Sequence, residues 1–168
     1  MAQTGKEFSD FHALLQKIKL KDIMKAPVAC VYEDDALSVV EEAFVQNNIY
    51  YLPVISHDRK LVGLVSRKYL YKTQSPRQVV DQYDVQVQYD PDLIMDGNSF
   101  YSKDTLNSFI LRNIMQRDPL VLQETDTLRD AVLRMHALNT GCIVVVDQNR
   151  EVRGIFSSQE IVHFLSSL

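Results

Sequence analysis

Apolar positions along the chain recur at two spacings, and the change from one to the other marks its elements. Leu37, Val40 and Phe44 return three and four places apart, the spacing of one face of an amphipathic α-helix, and Leu128, Ala131 and Met135 do so again. Each set is followed by a β-rich run (Tyr51 to Ile55; Cys142 to Val146) and a polar turn (His57-Asp58-Arg59; Gln148-Asn149-Arg150). A second run then closes at Gly63 to Ser66 or Gly154 to Ser157. That order predicts a helix feeding a hairpin, twice. Ahead of each helix come a short apolar run (residues 28–31; 120–122) and an acidic cap (Asp34 and Asp35; Thr125 and Asp126). The cap oxygens are expected to accept bonds from the first-turn amides. Behind each hairpin a short helix is predicted, over 67–73 and 158–165. The unit reads β-α-β-β-α.

The two units are copies. A shift of 91 places lays Leu20, Ile23, Met24, Glu33, Asp35, Leu37, Asn48, Val54, Arg59, Gly63 and Ser66 on Leu111, Ile114, Met115, Glu124, Asp126, Leu128, Asn139, Val145, Arg150, Gly154 and Ser157. No gap is needed. These are eleven identities over residues 20–70, where unrelated sequences of average composition give roughly three. Apolar character is kept at further pairs, such as Leu52 with Ile143 and Leu64 with Ile155. A tandem duplication is the reading, with repeats at 20–73 and 110–168.

Two segments stand outside it. Residues 1–19 carry Phe8, Phe11, Leu14, Leu15 and Ile18 on one face behind Thr4-x-x-Glu7, a capping-box pattern, so an N-terminal amphipathic helix is predicted over 6–18. Its polar side mixes signs, which suits packing on protein better than a membrane surface. Between the repeats lies an insert, 74–109, with Ser75-Pro76 and alternating Val85, Val87 and Tyr89, long for a plain connection.

Composition narrows the partners. With 18 Lys and Arg against 22 Asp and Glu, a net charge of −4 in 168 residues, no broad basic face for nucleic acid is expected. No apolar stretch approaches a bilayer span, and the first residues lack a signal-type apolar run. A cytoplasmic protein is expected. The two cysteines, Cys30 and Cys142, lie in apolar runs and read as reduced, buried thiols. Four histidines, His12, His57, His136 and His163, share no metal-ligand spacing. Neither a Walker lysine motif, nor G-x-G-x-x-G, nor G-x-S-x-G is present. No metal and no enzymatic activity are expected.

The tandem unit, with Ile23-Met24 or Ile114-Met115 opening each copy, Leu52-Pro53-Val54 in the middle and Gly-x-x-Ser before the last helix, resembles the cystathionine-β-synthase (CBS) domain pair, or Bateman module. The resemblance covers about 115 residues. It implies an α+β fold in which two β-α-β-β-α repeats pack sheet to sheet with pseudo-twofold symmetry. It also implies clefts for adenosine-containing ligands between the copies, and a homodimer. The ligand would be AMP, ADP or ATP, or a relative such as S-adenosylmethionine, acting as a regulator. A regulated protein partner is a further possibility. The alternative is a ligand-free dimerisation or protein-interaction scaffold.

A strand that ends in a small residue and feeds a helix offers amides and a hydroxyl to an anion, and a carboxylate one turn on can accept a ribose diol. In the family the segment runs Ser or Thr, two residues, then Asp or Asn. The second copy, Ser157-Ser158-Gln159-Glu160, keeps a carboxylate and is the preferred site, with Ser157 near phosphate, Glu160 on ribose, and Val144 and Ile155 beside the base. Ser157-x-x-Glu160 is equally a capping box. The first copy, Ser66-Arg67-Lys68-Tyr69, replaces the carboxylate by a phenol, while Arg67 and Lys68 remain available to phosphate or to solvent. Lys25 and Arg117, in the matched loops before the first strands, are further candidates for facing phosphate.

Overall fold

The structure, a computed structural model, describes residues 13–68 and 111–167. Residues 13–17 are helical; the start of the expected N-terminal helix, the insert, and the helix over 67–73 beyond its first two residues lie outside the described part. The first repeat supplies β1 (Val31–Tyr32), α1 (Leu37–Asn47), β2 (Tyr51–Ile55) and β3 (Leu61–Ser66). After β4 (Gln116–Arg117), the second supplies β5 (Val121–Gln123), α2 (Leu128–Ala137), β6 (Cys142–Val146), β7 (Val152–Ser157) and α3 (Ser158–Ser166). Chain order dictates pairing. A helix crossover makes β1 parallel to β2 and β5 parallel to β6, and a tight hairpin makes β2–β3 and β6–β7 antiparallel. Even the irregularities repeat, with a register shift at Val54/Ile55 and its copy at Val145/Val146.

Local geometry explains several of the duplicated identities. Asn48 and Asn139 hold the left-handed conformation, φ 46° and 48°, just past α1 and α2. There the amides of Ile49 and Thr140 reach back to the carbonyls of Phe44 and Met135. Asparagine tolerates this helix-closing geometry better than most residues with a side chain. Arg59 and Arg150, both at φ 62°, do the corresponding work in the hairpin turns. The acidic residues behave differently from expectation. Asp35 and Asp126 do not cap the helices; their carboxylates accept the amides of Tyr32 and Gln123, 2.7 and 2.8 Å away, and so fasten the strand-to-helix turn. The cap of α1 is Ala36, which has no side-chain acceptor. That of α2 is Thr127, in a reciprocal box with Asp130.

The repeats exchange their leading segments. β4 leads into the second repeat yet pairs with β3 of the first, setting Gln116 opposite Leu64, while Lys25, ahead of the first repeat, bridges to Ile155 of β7. These pairs are 91 places apart on both sides, as pseudo-twofold symmetry requires. The same symmetry relates Leu20 N–H donating to Asp126 O with Leu111 N–H donating to Asp35 O, and Lys21 to Glu124 with Arg112 to Glu33. Accordingly, Leu111 is fully buried among Leu37, Val40, Phe44, Leu52 and Val54, and Leu20 among Leu128, Ala131, Ile143 and Phe156. Segments that lead one repeat in the chain therefore pack into the core of the other.

A third cluster joins the hairpins. Leu61 and Leu64 of β3 meet Cys142, Val144 and Val146 of β6 and Ile155 of β7, so the sheets pack face to face. Lys60 and Glu151, equivalent positions of the two repeats, bridge one another and place the local axis between them. Burial pushes the Cys142 thiol far up and the half-buried Cys30 thiol to about 11, against a small opposing pull from Arg59, which keeps both protonated.

Candidate functional site

A cavity of about 600 Å³ opens where the end of β3 in the first repeat faces the end of α2 in the second. From one side it is lined by Tyr50, Tyr51, Leu64, Ser66 and Lys68; from the other by Leu138, Asn139, Thr140 and Gly141, with Gln116 of β4 between them. Each wall has a local cause. The left-handed turn at Asn139 ends α2 abruptly and swings the chain into β6, leaving residues 138–141 at the rim. Opposite, the Arg67 amide donates to the Tyr50 carbonyl at 2.9 Å, which ties the start of β2 to the end of β3 and sets Ser66 and Lys68 beside the two tyrosines. Gly141 leaves room for Tyr51. A Cβ there would run into the Tyr51 hydroxyl, which reaches across from the other repeat. Burial, and secondarily the neighbouring Cys142, hold the Tyr51 phenol above its ordinary value, so it stays a neutral donor.

The equivalent position in the second repeat is built otherwise. Ser157 is only 2% exposed, and its hydroxyl accepts the Gln159 amide at 3.2 Å while donating to Glu160. Glu160 also accepts the Ser157 amide at 2.8 Å. Together these bonds make a capping box at the start of α3. Val144 and Ile155 sit opposite each other in β6 and β7, inside the core between the sheets.

Lys25 and Arg117 keep exposed side chains on segments held by backbone pairing to Ile155 and Gly63. The cavity thus brings together Ser66 and Lys68 of the sequence candidates. Ser157, Glu160, Val144, Ile155, Arg67, Lys25 and Arg117 lie outside its lining. The tyrosines, Gln116 and the 138–141 turn were missed. For Gln116 the signal that could have found it is the duplication itself, since it is the copy of the candidate Lys25.

Elsewhere on the surface, His57 Nε2 lies 3.0 Å from Asp34 and stacks on Tyr32 with ring centroids 5.2 Å apart. The hydrogen bond to His57 holds the exposed Asp34 carboxyl below its ordinary value. Among the described residues no three metal-ligating side chains gather, and no helix is long and apolar enough to cross a membrane.

This arrangement of paired, strand-exchanged repeats has known counterparts. The CBS domain profile matches residues 20–75 and again 111–167, so the chain belongs to the CBS-domain family. An uncharacterized protein of Methanocaldococcus jannaschii, MJ1426, is 28% identical over 87% of this chain and 90% of its own length. A homoserine O-acetyltransferase of Methanococcus vannielii is 22% identical over 91% of this chain. That alignment spans only 26% of the transferase, so the chain corresponds to about a quarter of that relative.

Among solved structures, the CBS domain of a membrane protein from Sphaerobacter thermophilus superposes with a TM-score of 0.75 at 16% identity, covering 97% of each chain. The CBS domain pair of protein MJ0100, in complex with 5′-methylthioadenosine and S-adenosyl-L-methionine, gives 0.65 at 19% identity, with 89% and 96% covered. CBSX2 in complex with AMP gives 0.65 at 20%, with 90% and 98% covered. At these identities the likeness is one of fold.

Proposed function

We propose that this CBS pair is a non-catalytic regulatory module that binds an adenosine-containing ligand in the cleft between its repeats and signals occupancy to a partner or through its own homodimer, in the cytoplasm. One observation carries the reading: the cavity has walls from both repeats. A ligand that contacts Tyr51 and Ser66 on one side and the 138–141 turn on the other gains affinity only in one relative placement of the repeats. Differential affinity of that kind is what shifts a conformational population. The cavity volume falls within the usual range for small-molecule sites, and its mix of aromatic faces with a few polar groups suits a base joined to a sugar. The adenosine ligands of MJ0100 and CBSX2 support the choice of ligand class.

Calorimetric titration with AMP, ADP, ATP, S-adenosylmethionine and 5′-methylthioadenosine tests it. At least one is expected to bind, and at 100 times its dissociation constant to stabilise the fold by about 2.7 kcal/mol. Ser66→Phe, at the half-buried end of β3, is expected to abolish that binding, with the circular-dichroism spectrum of the variant as the folding control. Absence of binding across the set, or undiminished binding to the variant, overturns the reading.

A further inference from the structure

We infer that the cleft selects a phosphorylated adenosine over a neutral or sulfonium-bearing one, with the Lys68 ammonium as the phosphate contact; this rests on the adenosine reading above. Lys68 is the one charged side chain among the described residues that line the cavity, and no carboxylate lines it with them. The remaining polar groups there, Ser66, Gln116, Asn139 and Thr140, are neutral. The described lining thus carries a single positive charge. It offers nothing of opposite sign to the sulfonium and ammonium groups of S-adenosylmethionine, and it leaves the Lys68 ammonium unanswered when the ligand is the uncharged thioether.

Lys68 is also unspent. The side chain is exposed and enters none of the ion pairs formed among the described residues, which join His57 to Asp34, Lys60 to Glu151, Arg112 to Glu33 and Arg153 to Asp147. Nor does the fold ask for a cation. The equivalent position of the second repeat is Gln159, which builds the same strand-to-helix junction without charge. Residues 67 and 68 are helical and directly follow β3, and a positive charge at a helix start opposes the backbone dipole and gains nothing locally. An anion in the adjoining cavity reverses that balance. With Tyr50, Tyr51 and Leu64 supplying apolar faces along the same wall, the base and the phosphate of one ligand find complementary surfaces within one site.

The test compares AMP, 5′-methylthioadenosine and S-adenosylmethionine by calorimetry on the full chain, at two ionic strengths and with Lys68→Gln. AMP is expected to bind tightest and to weaken as salt rises, while the neutral thioether is insensitive to salt. Lys68→Gln is expected to cost AMP roughly ten- to a hundredfold in affinity, the scale of one charge-assisted hydrogen bond, and to leave thioether binding unchanged. The melting temperature of the variant without ligand serves as the folding control, since glutamine already occupies the matching place of the other repeat, at Gln159. If the thioether or S-adenosylmethionine binds as tightly as AMP, or if Lys68→Gln weakens all three alike, the charge selection is wrong and the adenosine site stands. If none of the three binds and ADP and ATP are silent too, the site itself is wrong and the selection falls with it.

Discussion

Close approach at single residues is what lets the two repeats interlock. Gly63 and Gly154 are equivalent positions in β3 and β7, and each faces the exchanged segment of the other repeat. An added Cβ at Gly154 would stand 2.7 Å from the Lys25 carbonyl oxygen and 2.8 Å from Met24 Sδ. At Gly63 the nearest atom is Met115 Sδ at 2.6 Å, with the Gln116 carbonyl oxygen at 3.0 Å. The two clashes differ in kind, because a methionine side chain can rotate aside and a strand backbone cannot. Gly154→Ala is therefore expected to destabilise by about 1–3 kcal/mol and Gly63→Ala by less. Urea denaturation of the two variants checks the order, and equal losses would mean that the backbone contact at Lys25 gives way as easily as the thioether.

At the scale of elements, two helices with the same apolar spacing are started by different chemistry. α2 begins with the Thr127–Asp130 box, in which Thr127 Oγ1 accepts the Asp130 amide at 3.1 Å and the Asp130 carboxylate accepts the Thr127 hydroxyl at 2.6 Å. That same hydroxyl bond is the main cause holding the Asp130 carboxyl below its ordinary value. α1 begins at Ala36 with extended backbone, φ −69° and ψ 150°, and no side-chain acceptor. Its stability comes from Leu37, Val40 and Phe44 packing into the first core. Thr127→Ala is expected to cost about 1 kcal/mol, and Ala36→Ser to return a similar amount, since serine fits the extended cap conformation. Thermal denaturation of both variants reads the two signs. A neutral Ala36→Ser would show that the turn fastened by Asp35 leaves those amides no room for a hydroxyl.

For the whole molecule, exchange of the leading segments makes the repeats mutually dependent. Leu20, Ile23 and Met24 cover the second core, and Leu111, Ile114 and Met115 the first, so neither repeat closes its core with its own contiguous sequence. Losing a fully buried leucine alone costs about 2–5 kcal/mol, a large part of the stability of a domain of this size. A chain of residues 111–168 is thus expected to lack cooperative unfolding by circular dichroism and to regain it when residues 1–110 are added. Cooperative melting of the fragment by itself would show that the exchange is dispensable. The same interlock couples the repeats, because a shift of one also moves a strand of the other.

Much of this was legible along the chain because it is local or repeated. Apolar spacing at Leu37, Val40 and Phe44 defines a helix face wherever the helix ends up, and a 91-place copy of Asn48, Arg59 and Gly63 can only mean the same backbone turned the same way. From these the sequence by itself determined the helix-and-hairpin order of each repeat, the duplication, the buried helix faces and the family. Tertiary structure alone decided which leading segment joins which sheet, that Ser157 and Glu160 are occupied with one another, and that the cavity opens at Ser66 and Lys68. The reason is physical. Across the pseudo-twofold axis Tyr51 is matched to Cys142 and Tyr50 to Gly141, so side chains of unequal size meet in two places that a repeat pattern treats as equal. Which of them leaves space depends on contacts between residues far apart in the chain, and no spacing along a strand encodes those contacts.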